Sequence, residues 1–446
     1  MSLSEKARKE LRRLLGDRLL EAESDCLVYA YDASGRTYLP EAVALPQNTE
    51  EVSRILALSY EEEFPVIPRG AGTATTGAPL AARGGLVVAF TLMDRILEIN
   101  AEDLVAVVEP GVVNGRFKEK LARRGLFYPP DPASYRFSTI GGNVATCAGG
   151  PRGLKYGVTR DYVLALEAVL PGGEVLPLGT RTLKGVVGYD LTRLLVGSEG
   201  TLAVITKITL KVLPLPPARA TVAAGFGSEE EALASLNEVL SGGLLPAAAE
   251  FMDEVTLTAT GALEPEIKGL LLLEFDGLDS TVKEEVEKAL EILDSRTRFL
   301  KVASGETAET LWEVRRAISP ALKKLGTRRI ADDIVLPRSK LSVFVREVRA
   351  LSKDFGLRVA CFGHAGDGNL HVNILFDEEK EGAESLRERI LSLVLSLSGT
   401  ISGEHGIGLT KRAYLPWEIP PRALSLMREI KKVFDPKGLL NPGKIF

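Results

Sequence analysis

Apolar runs and glycine-rich turns alternate between residues 42 and 215. The runs VVAF, VAVVEPG and TLAVITKITLKVLPL are rich in β-branched residues and are typical of buried strands, and the glycines between them are typical of turns. This alternation indicates an α/β or α+β domain. The prolines at 214–217 predict its end, because prolines interrupt both helices and strands.

After these prolines the pattern changes to helices interleaved with apolar strands. Residues 228–240 and 281–293 carry apolar positions at helical spacing, whereas LLLLEF and RVACFG are continuous apolar runs. A second, α+β domain is therefore predicted. The N-terminal segment predicts an amphipathic helix, and the chain closes with a helix from Pro421 and a turn-rich tail, FDPKGLLNPGKIF.

Composition excludes several classes of protein. At 446 residues the chain is long enough for two or more domains and for the burial of a large cofactor. Its net charge of -5 gives no electrostatic reason to expect nucleic acid or an anionic membrane as a partner. Charged residues interrupt the N-terminus where a signal peptide would be apolar, and no apolar run approaches the ~18 to 20 residues of a membrane span. We therefore expect a cytoplasmic protein with no membrane span.

The three cysteines, Cys26, Cys147 and Cys361, are widely separated and include no CxxC pair. They cannot ligate a four-cysteine iron–sulfur cluster or a conventional structural zinc ion. Any electrons that the protein takes up must leave through another group or another protein.

A glycine-rich loop, PRGAGTATTG at 68–77, directly follows a short apolar stretch. Its glycines would let backbone N–H groups approach a ligand, its threonine hydroxyls add donors, and Arg69 supplies charge, which together suit a pyrophosphate. The loop is not a Walker A sequence, since no GK[ST] closes it, and the GxGxxG spacing of a Rossmann fingerprint fails. By itself it is also compatible with an ordinary turn.

Two further glycine-rich stretches, one beginning at Tyr128 and one at Gly188, suit a long, flat and polar ligand better than an apolar core. In order along the chain, PRGxGT, PxDPAS, STIGGNVA and GSEGTLAVIT resemble the flavin-binding motifs of the vanillyl-alcohol-oxidase / para-cresol-methylhydroxylase superfamily. The branch of the superfamily that this chain resembles contains the flavin-binding component of glycolate oxidase, D-lactate dehydrogenase and D-2-hydroxyglutarate dehydrogenase. The resemblance extends from about Leu39 to the C-terminus. It implies an α+β fold with a two-part FAD-binding domain over 1–214, an α+β substrate (cap) domain over 215–404 that carries the metal ligands, and a C-terminal segment over 405–446 that returns to the flavin.

The resemblance also implies which residues bind FAD. Those expected in the pyrophosphate loop are Pro68, Arg69, Gly70, Ala71, Gly72, Thr73 and Gly77. Those expected along the flavin are Pro132, Ser134, Thr139, Gly142, Asn143 and Ala145. Those expected on the adenosine side are Glu199, Gly200 and Ile205, and Asn441 is a further expected contact. No histidine precedes position 364, and Cys147 does not match the cysteinyl-link motif, so non-covalent FAD is predicted.

All three histidines of the chain fall in polar, glycine-rich turns, FGHAGDGNLHVNI and SGEHGIG. The turn AGDGNL can bring His364 and His371 together, and Glu404 offers a carboxylate from a separate segment. Two imidazoles and one carboxylate suit Zn²⁺, Mn²⁺ or Fe²⁺ and leave open positions for a bidentate 2-hydroxy acid. The matching residues of the family bind a divalent metal, which implies the same role here.

Oxidation of an alcohol needs a base for the hydroxyl proton as hydride leaves the α-carbon, and a metal on that oxygen brings its pKa toward that of an imidazole. His405 is the predicted base, and the flavin N5 is the predicted hydride acceptor. Asn373 is expected to touch the substrate or support a metal ligand. The resemblance assigns the substrate carboxylate to Arg315, in LWEVRRAISPAL, with Arg316 as the alternative.

The resemblance also bears on the substrate. In D-2-hydroxyglutarate dehydrogenases a lysine shortly before a DxxLP-like element helps bind the distal carboxylate, and Ala331 stands at the matching position of RRIADDIVLP. This departure disfavours 2-hydroxyglutarate and favours a smaller acid, D-lactate ahead of glycolate.

Other functions stay open at this stage. A flavin-dependent transferase of the alkyl-dihydroxyacetone-phosphate synthase type would share the fold, as would a flavin subunit of a multi-subunit glycolate oxidase. A zinc hydrolase without flavin would leave the flavin motifs unexplained. The electron acceptor is open among an electron-transfer flavoprotein, an iron–sulfur subunit, a cytochrome and a quinone, and a homodimer is open as well.

Overall fold

The computed structural model of the protein describes residues 2–261, 264, 266–377 and 382–446. Its strands are β1 (Leu19–Leu20), β2 (Ala42–Ala44), β3 (Val66–Arg69), β4 (Leu86–Ala89), β5 (Ile96–Asn100), β6 (Val105–Val108), β7 (Leu126–Phe127), β8 (Val163–Val169), β9 (Val175–Gly179), β10 (Val204–Lys211), β11 (Leu213–Pro214), β12 (Ala218–Phe226), β13 (Ala248–Asp253), β14 (Gly269–Gly277), β15 (Phe299–Ala303), β16 (Arg328–Val335), β17 (Arg358–His364) and β18 (Asn369–Phe376). Its α-helices are α1 (Glu5–Leu15), α2 (Glu23–Leu27), α3 (Thr49–Glu62), α4 (Asn114–Ala122), α5 (Ile140–Thr146), α6 (Gly153–Tyr156), α7 (Leu191–Leu195), α8 (Glu229–Ser241), α9 (Glu254–Thr260), α10 (Asp279–Leu293), α11 (Gly305–Ala321), α12 (Leu341–Phe355), α13 (Ala383–Ser396), α14 (Leu415–Glu418) and α15 (Pro421–Phe434).

The chain divides into two compact units. The first unit comprises Met1–Ala148, Val158–Leu215 and Glu404–Phe446, and the second comprises Gly149–Gly157 and Pro216–Gly403. The predicted boundaries at 214 and 404 lie one residue from those of this division. The grouping of Gly149–Gly157 with the second unit was not anticipated from the sequence.

Side chains of this short segment explain its grouping. Arg152 Nη2 donates to Glu274 Oε1 at 2.7 Å, and Lys155 Nζ donates to Asp276 Oδ1 at 2.7 Å. Both carboxylates lie on β14 and are buried, and a buried charge needs such a partner. The segment is thereby held to the sheet of the second unit.

The first unit contains three sheets. The four-stranded sheet has the order β1-β2-β4-β3, in which β2, β4 and β3 are parallel and β1 is antiparallel to β2. The five-stranded sheet has the order β5-β6-β10-β8-β9 and is antiparallel throughout, and β7 pairs with β11. Leu11 of α1, Ile55 of α3 and Val88 of β4 belong to its main apolar core.

The C-terminal tail belongs to the first unit and runs beside β3. Val66 N donates to Leu439 O at 2.9 Å, and Asn441 N donates to Val66 O at 2.8 Å. Because β3 leads directly into the glycine-rich loop at 68–77, the tail supports the strand that presents this loop.

The second unit is built on one seven-stranded antiparallel sheet with the order β15-β12-β14-β13-β17-β18-β16. Residues that pair directly across neighbouring strands point to the same face of a sheet, as do residues two apart on one strand. The register therefore puts a series of polar side chains on one face: Thr221, Glu274, Glu250, His364, His371, Asn373 and Asp333.

Several predicted elements are confirmed, with local reasons for their ends. The helices expected at the N-terminus, at 228–240, at 281–293 and from Pro421 correspond to α1, α8, α10 and α15, and LLLLEF and RVACFG lie in β14 and β17. Ser4 Oγ accepts from Ala7 N at the start of α1, and Ser228 Oγ accepts from Glu231 N at the start of α8. The α+β class is also confirmed. Within the described part of the chain, every helix is too short or too polar to cross a membrane.

Candidate functional site

Two histidines converge across a tight hairpin in the second unit. His364 ends β17 and His371 lies early in β18, and the register points both toward the same face. Gly368 in the connecting turn has a φ of +87°, and a Cβ there would lie 2.1 Å from Leu336 O, so the turn requires glycine. The two rings are 5.2 Å apart and nearly perpendicular, at 86°. The prediction that this turn brings the two imidazoles together is confirmed.

Glu404 follows directly from the last residue of the second unit. Gly403 N donates to Asp333 Oδ2 at 2.7 Å, and Asp333 pairs in register with His371. Because Glu404 is the next residue after Gly403, this hydrogen bond also holds the backbone of Glu404 near Asp333. One potential ligand atom from each of His364, His371 and Glu404 lies within 4.8 Å of the others. Two nitrogens and one oxygen at this spacing can coordinate one divalent ion.

Glu250 is a site residue that sequence reasoning missed. It lies on β13 and is fully buried, and its two oxygens bond His364 Nδ1, at 2.5 Å, and Arg315 Nε. Burial would raise the pKa of Glu250, but the charge of Arg315 and the contact with His364 lower it to about 2. An acidic residue inside the apolar run AAAEFM was the available signal, because a charge in a buried strand needs a partner.

The two candidate arginines of α11 have different surroundings. Arg315 is 11% exposed, bonds Glu250 and lies over the Phe362 ring with its guanidinium carbon 4.9 Å from the centroid. Arg316 pairs with Glu309 of the same helix, and this pair is more exposed to solvent. Arg315 therefore faces the hairpin of the two histidines, whereas Arg316 forms a surface ion pair.

Asn373 lies two residues after His371 on β18, so it points to the same face. It is buried, and its direct partners across the sheet are Ala331 on β16 and Ala360 on β17. Asn373 is therefore the polar member of this row of three paired residues on the sheet face.

His405 lies in a loop of the first unit, and the side chain of Glu199 binds the backbone of this loop. The two carboxylate oxygens of Glu199 accept from Ile407 N at 2.7 Å and from Gly408 N at 2.9 Å. Burial raises the pKa of Glu199 to about 7, although these two hydrogen bonds lower it. His405 Nε2 lies 3.8 Å from Glu404 Oε1, and its side chain is 26% exposed. The backbone of Glu199 is also engaged, since its N–H donates to Ala145 O at 2.7 Å and its carbonyl oxygen accepts from Asn441 Nδ2 at 2.7 Å.

The predicted pyrophosphate loop of the first unit has no room for side chains at two of its glycines. A Cβ at Gly70 would lie 2.4 Å from Thr139 Oγ1, and a Cβ at Gly72 would lie 2.0 Å from Arg69 Nη2. Gly72 also has a φ of +72°, which favours glycine. Thr139 Oγ1 in turn accepts from Gly142 N at 3.2 Å. The loop and the STIGGNVA segment therefore lie side by side, as FAD binding by both would require.

Four buried polar atoms of these segments have no hydrogen-bond partner among the described residues: Arg69 Nη1, Thr75 Oγ1, Ser138 Oγ and Asn143 Nδ2. Leaving such a group unpaired costs on the order of 1 to 3 kcal/mol each. Guanidinium, amide and hydroxyl groups all donate to oxygen, which is what the phosphates and ring carbonyls of a flavin dinucleotide offer. The residues present therefore fit FAD.

The remaining predicted cofactor residues lie in the same unit: Pro68, Ala71, Thr73, Gly77, Pro132, Ser134, Ala145, Gly200, Ile205 and Asn441. Asn441 Nδ2 donates to Ala78 O at 3.0 Å and to Glu199 O at 2.7 Å, so these protein groups engage its amide nitrogen. Sequence reasoning missed Asp32, whose Oδ2 accepts from Gly77 N at 2.9 Å. Asp32 thereby fixes the end of the pyrophosphate loop.

Comparison with known proteins shows the family of the chain. Residues 40–179 match the family described as FAD binding domain, and residues 215–445 match the family described as FAD linked oxidases, C-terminal domain. The chain is 40% identical to glycolate oxidase subunit GlcD of Bacillus subtilis (strain 168), over 94% of this chain and 92% of the relative. It is 36% identical to a D-lactate dehydrogenase of Anaerostipes hadrus, over 91% of this chain and 89% of the relative.

A solved structure of p-cresol methylhydroxylase with substrate bound superposes with a TM-score of 0.83, covering 99% of this chain and 96% of the other at 15% identity. At this identity the likeness bears on the fold alone, and it confirms the predicted fold class. The chain therefore belongs to the FAD-linked oxidases, has a fold similar to that of p-cresol methylhydroxylase, and is an FAD-linked oxidoreductase of the GlcD and D-lactate dehydrogenase type.

Proposed function

We propose that the protein is a dehydrogenase that oxidises a small D-2-hydroxy acid, D-lactate ahead of glycolate, to the 2-oxo acid. The convergence of His364, His371 and Glu404 to within 4.8 Å carries this proposal. Two imidazoles and one carboxylate suit Zn²⁺, Mn²⁺ or Fe²⁺ and leave coordination positions open for a 2-hydroxy acid. The names of the two relatives, a glycolate oxidase subunit and a D-lactate dehydrogenase, support the substrate class.

When bound, FAD would take up hydride from the α-carbon, and the divalent ion would lower the pKa of the substrate hydroxyl. His405 would accept the hydroxyl proton at Nε2, the nitrogen 3.8 Å from Glu404 Oε1. Imidazoles suit this step because they ordinarily exchange protons near neutral pH. Adjacent residues would thus have distinct roles, Glu404 as a ligand and His405 as the base.

Arg315 would bind the substrate carboxylate. Its Nε is engaged by Glu250, so the two terminal nitrogens would form the fork that a carboxylate accepts. Asn373, on the same sheet face as His371, would donate to the substrate or support a ligand. A second carboxylate on a longer acid would find Ala331 opposite Asn373 rather than a cation, which supports a short substrate.

Action as the flavin-binding component of a larger complex is a second candidate, because the relative from B. subtilis is itself named a subunit. The three cysteines are buried and unpaired with one another, and they lack the spacing of an iron–sulfur site. Electrons would therefore pass to a separate protein or to a quinone. The acceptor can be identified by reoxidising the dithionite-reduced protein with candidate partners encoded beside its gene.

Single substitutions can distinguish the proposed metal ligands from the proposed base. His364→Ala, His371→Ala and Glu404→Gln should lose the divalent metal and activity, because each removes one of three ligands. His405→Ala should retain metal and FAD but reduce its flavin roughly 10²- to 10⁴-fold more slowly with D-lactate. The measurements are elemental analysis and anaerobic stopped-flow bleaching of the flavin.

Glu309→Gln, on the surface of α11, is the matched control and should behave as wild type. A wild-type protein that binds no divalent metal would contradict the metal site. Loss of metal from His405→Ala, with normal flavin reduction once metal is restored, would make His405 a ligand rather than the base.

A further inference from the structure

Glu250 is a carboxylate at the centre of the seven-stranded sheet. It lies on β13, between β14 and β17, and is 0% exposed. Moving an ionised carboxylate out of water costs several kcal/mol unless partners compensate for its charge. A charged residue at such a position therefore needs compensating partners, and both oxygens of Glu250 have one.

The two oxygens bond two groups that the proposed reaction uses. Oε1 lies 2.5 Å from His364 Nδ1, and Oε2 accepts from Arg315 Nε. Arg315 is further fixed by the ring of Phe362, 4.9 Å below its guanidinium carbon. One buried carboxylate thus joins a candidate metal ligand to the candidate substrate arginine.

The bond to His364 determines which of its nitrogens can bind a metal. A carboxylate can only accept, so Nδ1 must carry the proton. The lone pair of the neutral ring then resides on Nε2. A histidine ligand whose other nitrogen donates to a carboxylate is fixed in both tautomer and ring orientation.

We propose that Glu250 is a positioning residue that holds His364 in the Nδ1–H tautomer and Arg315 in its orientation, so that metal affinity and substrate-carboxylate binding depend on the same buried charge. The proposal rests on the proposed function, since it assumes that His364 ligates metal and that Arg315 binds substrate. Glu250 itself touches neither.

Three variants separate the two halves of the proposal. Glu250→Gln keeps the shape of the side chain but removes its charge, and Zn²⁺ affinity should fall roughly 10- to 100-fold while KM for D-lactate rises. Arg315→Met leaves the bond to His364, so Zn²⁺ affinity should stay at the wild-type value and KM alone should rise. The double variant Glu250→Gln/Arg315→Met removes both charges together, which protects folding, and should still show the weakened Zn²⁺ binding.

Glu274 offers a matched control. It is 2% exposed on β14, points to the same sheet face as Glu250, and pairs with Arg152 instead of a site residue. Glu274→Gln removes an equally buried charge and should lower the melting temperature without changing Zn²⁺ affinity. A merely structural role for Glu250 would make the two variants alike.

The tautomer is measured in the full-length, metal-free protein by ¹⁵N NMR of labelled histidine, which is practical because the chain has three histidines. His371→Gln and His405→Gln identify the His364 signals by elimination. Wild type should show a protonated Nδ1, and Glu250→Gln should show a mixture of tautomers. Zn²⁺ affinity is then measured by competition with a chromogenic chelator.

A protonated Nε2 on His364 in wild type, or equal Zn²⁺ affinity in wild type and Glu250→Gln, would overturn the role of Glu250. Failure of the wild type to bind Zn²⁺, Mn²⁺ or Fe²⁺ would instead overturn the proposed function, and it would remove the assumption on which the role of Glu250 rests. The tautomer result and the wild-type metal content therefore distinguish the two failures.

Discussion

Two buried glutamates, Glu250 and Glu199, have opposite pKa shifts because of what lies against their carboxylates. Burial raises the pKa of a carboxyl unless a close opposite charge compensates. Glu250 contacts Arg315 directly, and its pKa falls to about 2. Glu199 contacts two backbone amides, and its pKa rises to about 7. Glu250 is therefore ionised throughout the neutral range, whereas Glu199 gains or loses a proton within it.

Glu199 should make stability depend on pH. Between about pH 4.5 and 7 the folded protein retains a proton on Glu199 that the unfolded chain loses, so the free energy of unfolding should fall as pH rises through this window and level off above it. The change corresponds to on the order of 3 kcal/mol. Glu199→Gln should remove this slope, as measured by urea denaturation below, within and above the window. Glu309→Gln, at an exposed position, should keep the slope, and a Glu199→Gln profile parallel to wild type would contradict the assignment.

Arg315 and Arg316 provide a matched pair, because adjacent positions on a helix point about 100° apart. Arg315→Ala should raise KM for D-lactate and lower kcat/KM, because it removes one partner of a buried charged contact. The fall in kcat/KM should correspond to a loss of on the order of 2 to 4 kcal/mol of transition-state binding. Arg316→Ala loses a surface pair with Glu309 and should leave both constants unchanged. The check is steady-state kinetics with an artificial acceptor. Normal kinetics in Arg315→Ala would assign the substrate carboxylate to another residue.

At the scale of elements, the glycine-rich loop after β3 is the feature that local sequence explains best. Its close contacts depend on the absence of side chains, and its position depends on a parallel strand that the C-terminal tail supports. The conformation of the loop at Gly70 and Gly72 depends on steric contacts, and β3 is supported by backbone hydrogen bonds, so neither depends on a buried charge from another part of the chain. The motif therefore predicts its own local conformation, whereas its contact with STIGGNVA is a tertiary contact.

Gly72→Ala should weaken FAD binding. The added methyl would lie 2.0 Å from Arg69 Nη2 and must displace that side chain, and such overpacking costs roughly 1 to 3 kcal/mol. This corresponds to about a 5- to 150-fold rise in the Kd for FAD, measured by titrating apoprotein and following flavin fluorescence. Gly125→Ala is the control: its φ of +70° is nearly that of Gly72, at +72°, but a Cβ there meets no atom within 4 Å. Equal FAD affinity in the two variants would argue against a cofactor role for the loop.

At the scale of the whole molecule, each unit is assembled from segments distant in sequence. The first unit takes residues from both ends of the chain, and the second takes Gly149–Gly157 from inside the first. Cutting the chain at 215 would therefore remove the tail that pairs with Val66 and leave the short segment without its carboxylate partners. Neither piece corresponds to a complete unit.

The intact protein should be yellow and should release its FAD on precipitation with trichloroacetic acid. No histidine precedes His364, and Cys147 does not match the cysteinyl-link motif. Flavin should appear in the supernatant after centrifugation, measured by absorbance, and Cys147→Ser should release the same amount. Flavin that stays with the wild-type precipitate but not with Cys147→Ser would identify a cysteinyl link.

Much of the fold could be predicted because its signals are local. The helices at 228–240 and 281–293 follow from apolar spacing, and Ser228 caps the first of them through its neighbour Glu231. The glycines of AGDGNL indicate the turn between His364 and His371, where Gly368 has a φ of +87°, although the close approach of Leu336 O to Gly368 is a tertiary contact. The exchange of Gly149–Gly157 between units was missed because it depends on charges in a strand more than a hundred residues later.

The sequence by itself determined the elements, because these depend on residues within a turn or two of one another. Residue chemistry and the resemblance of the ordered motifs to a known family indicated the candidate flavin contacts, ligands and base. Only the tertiary structure decided what supports them. Glu250 meets His364 across 114 residues, and Glu199 meets Ile407 across 208. Such pairs depend on strand register and loop closure, and a single sequence carries no pattern that specifies which distant charge will meet which. The partners of buried charges are therefore a property of the folded chain.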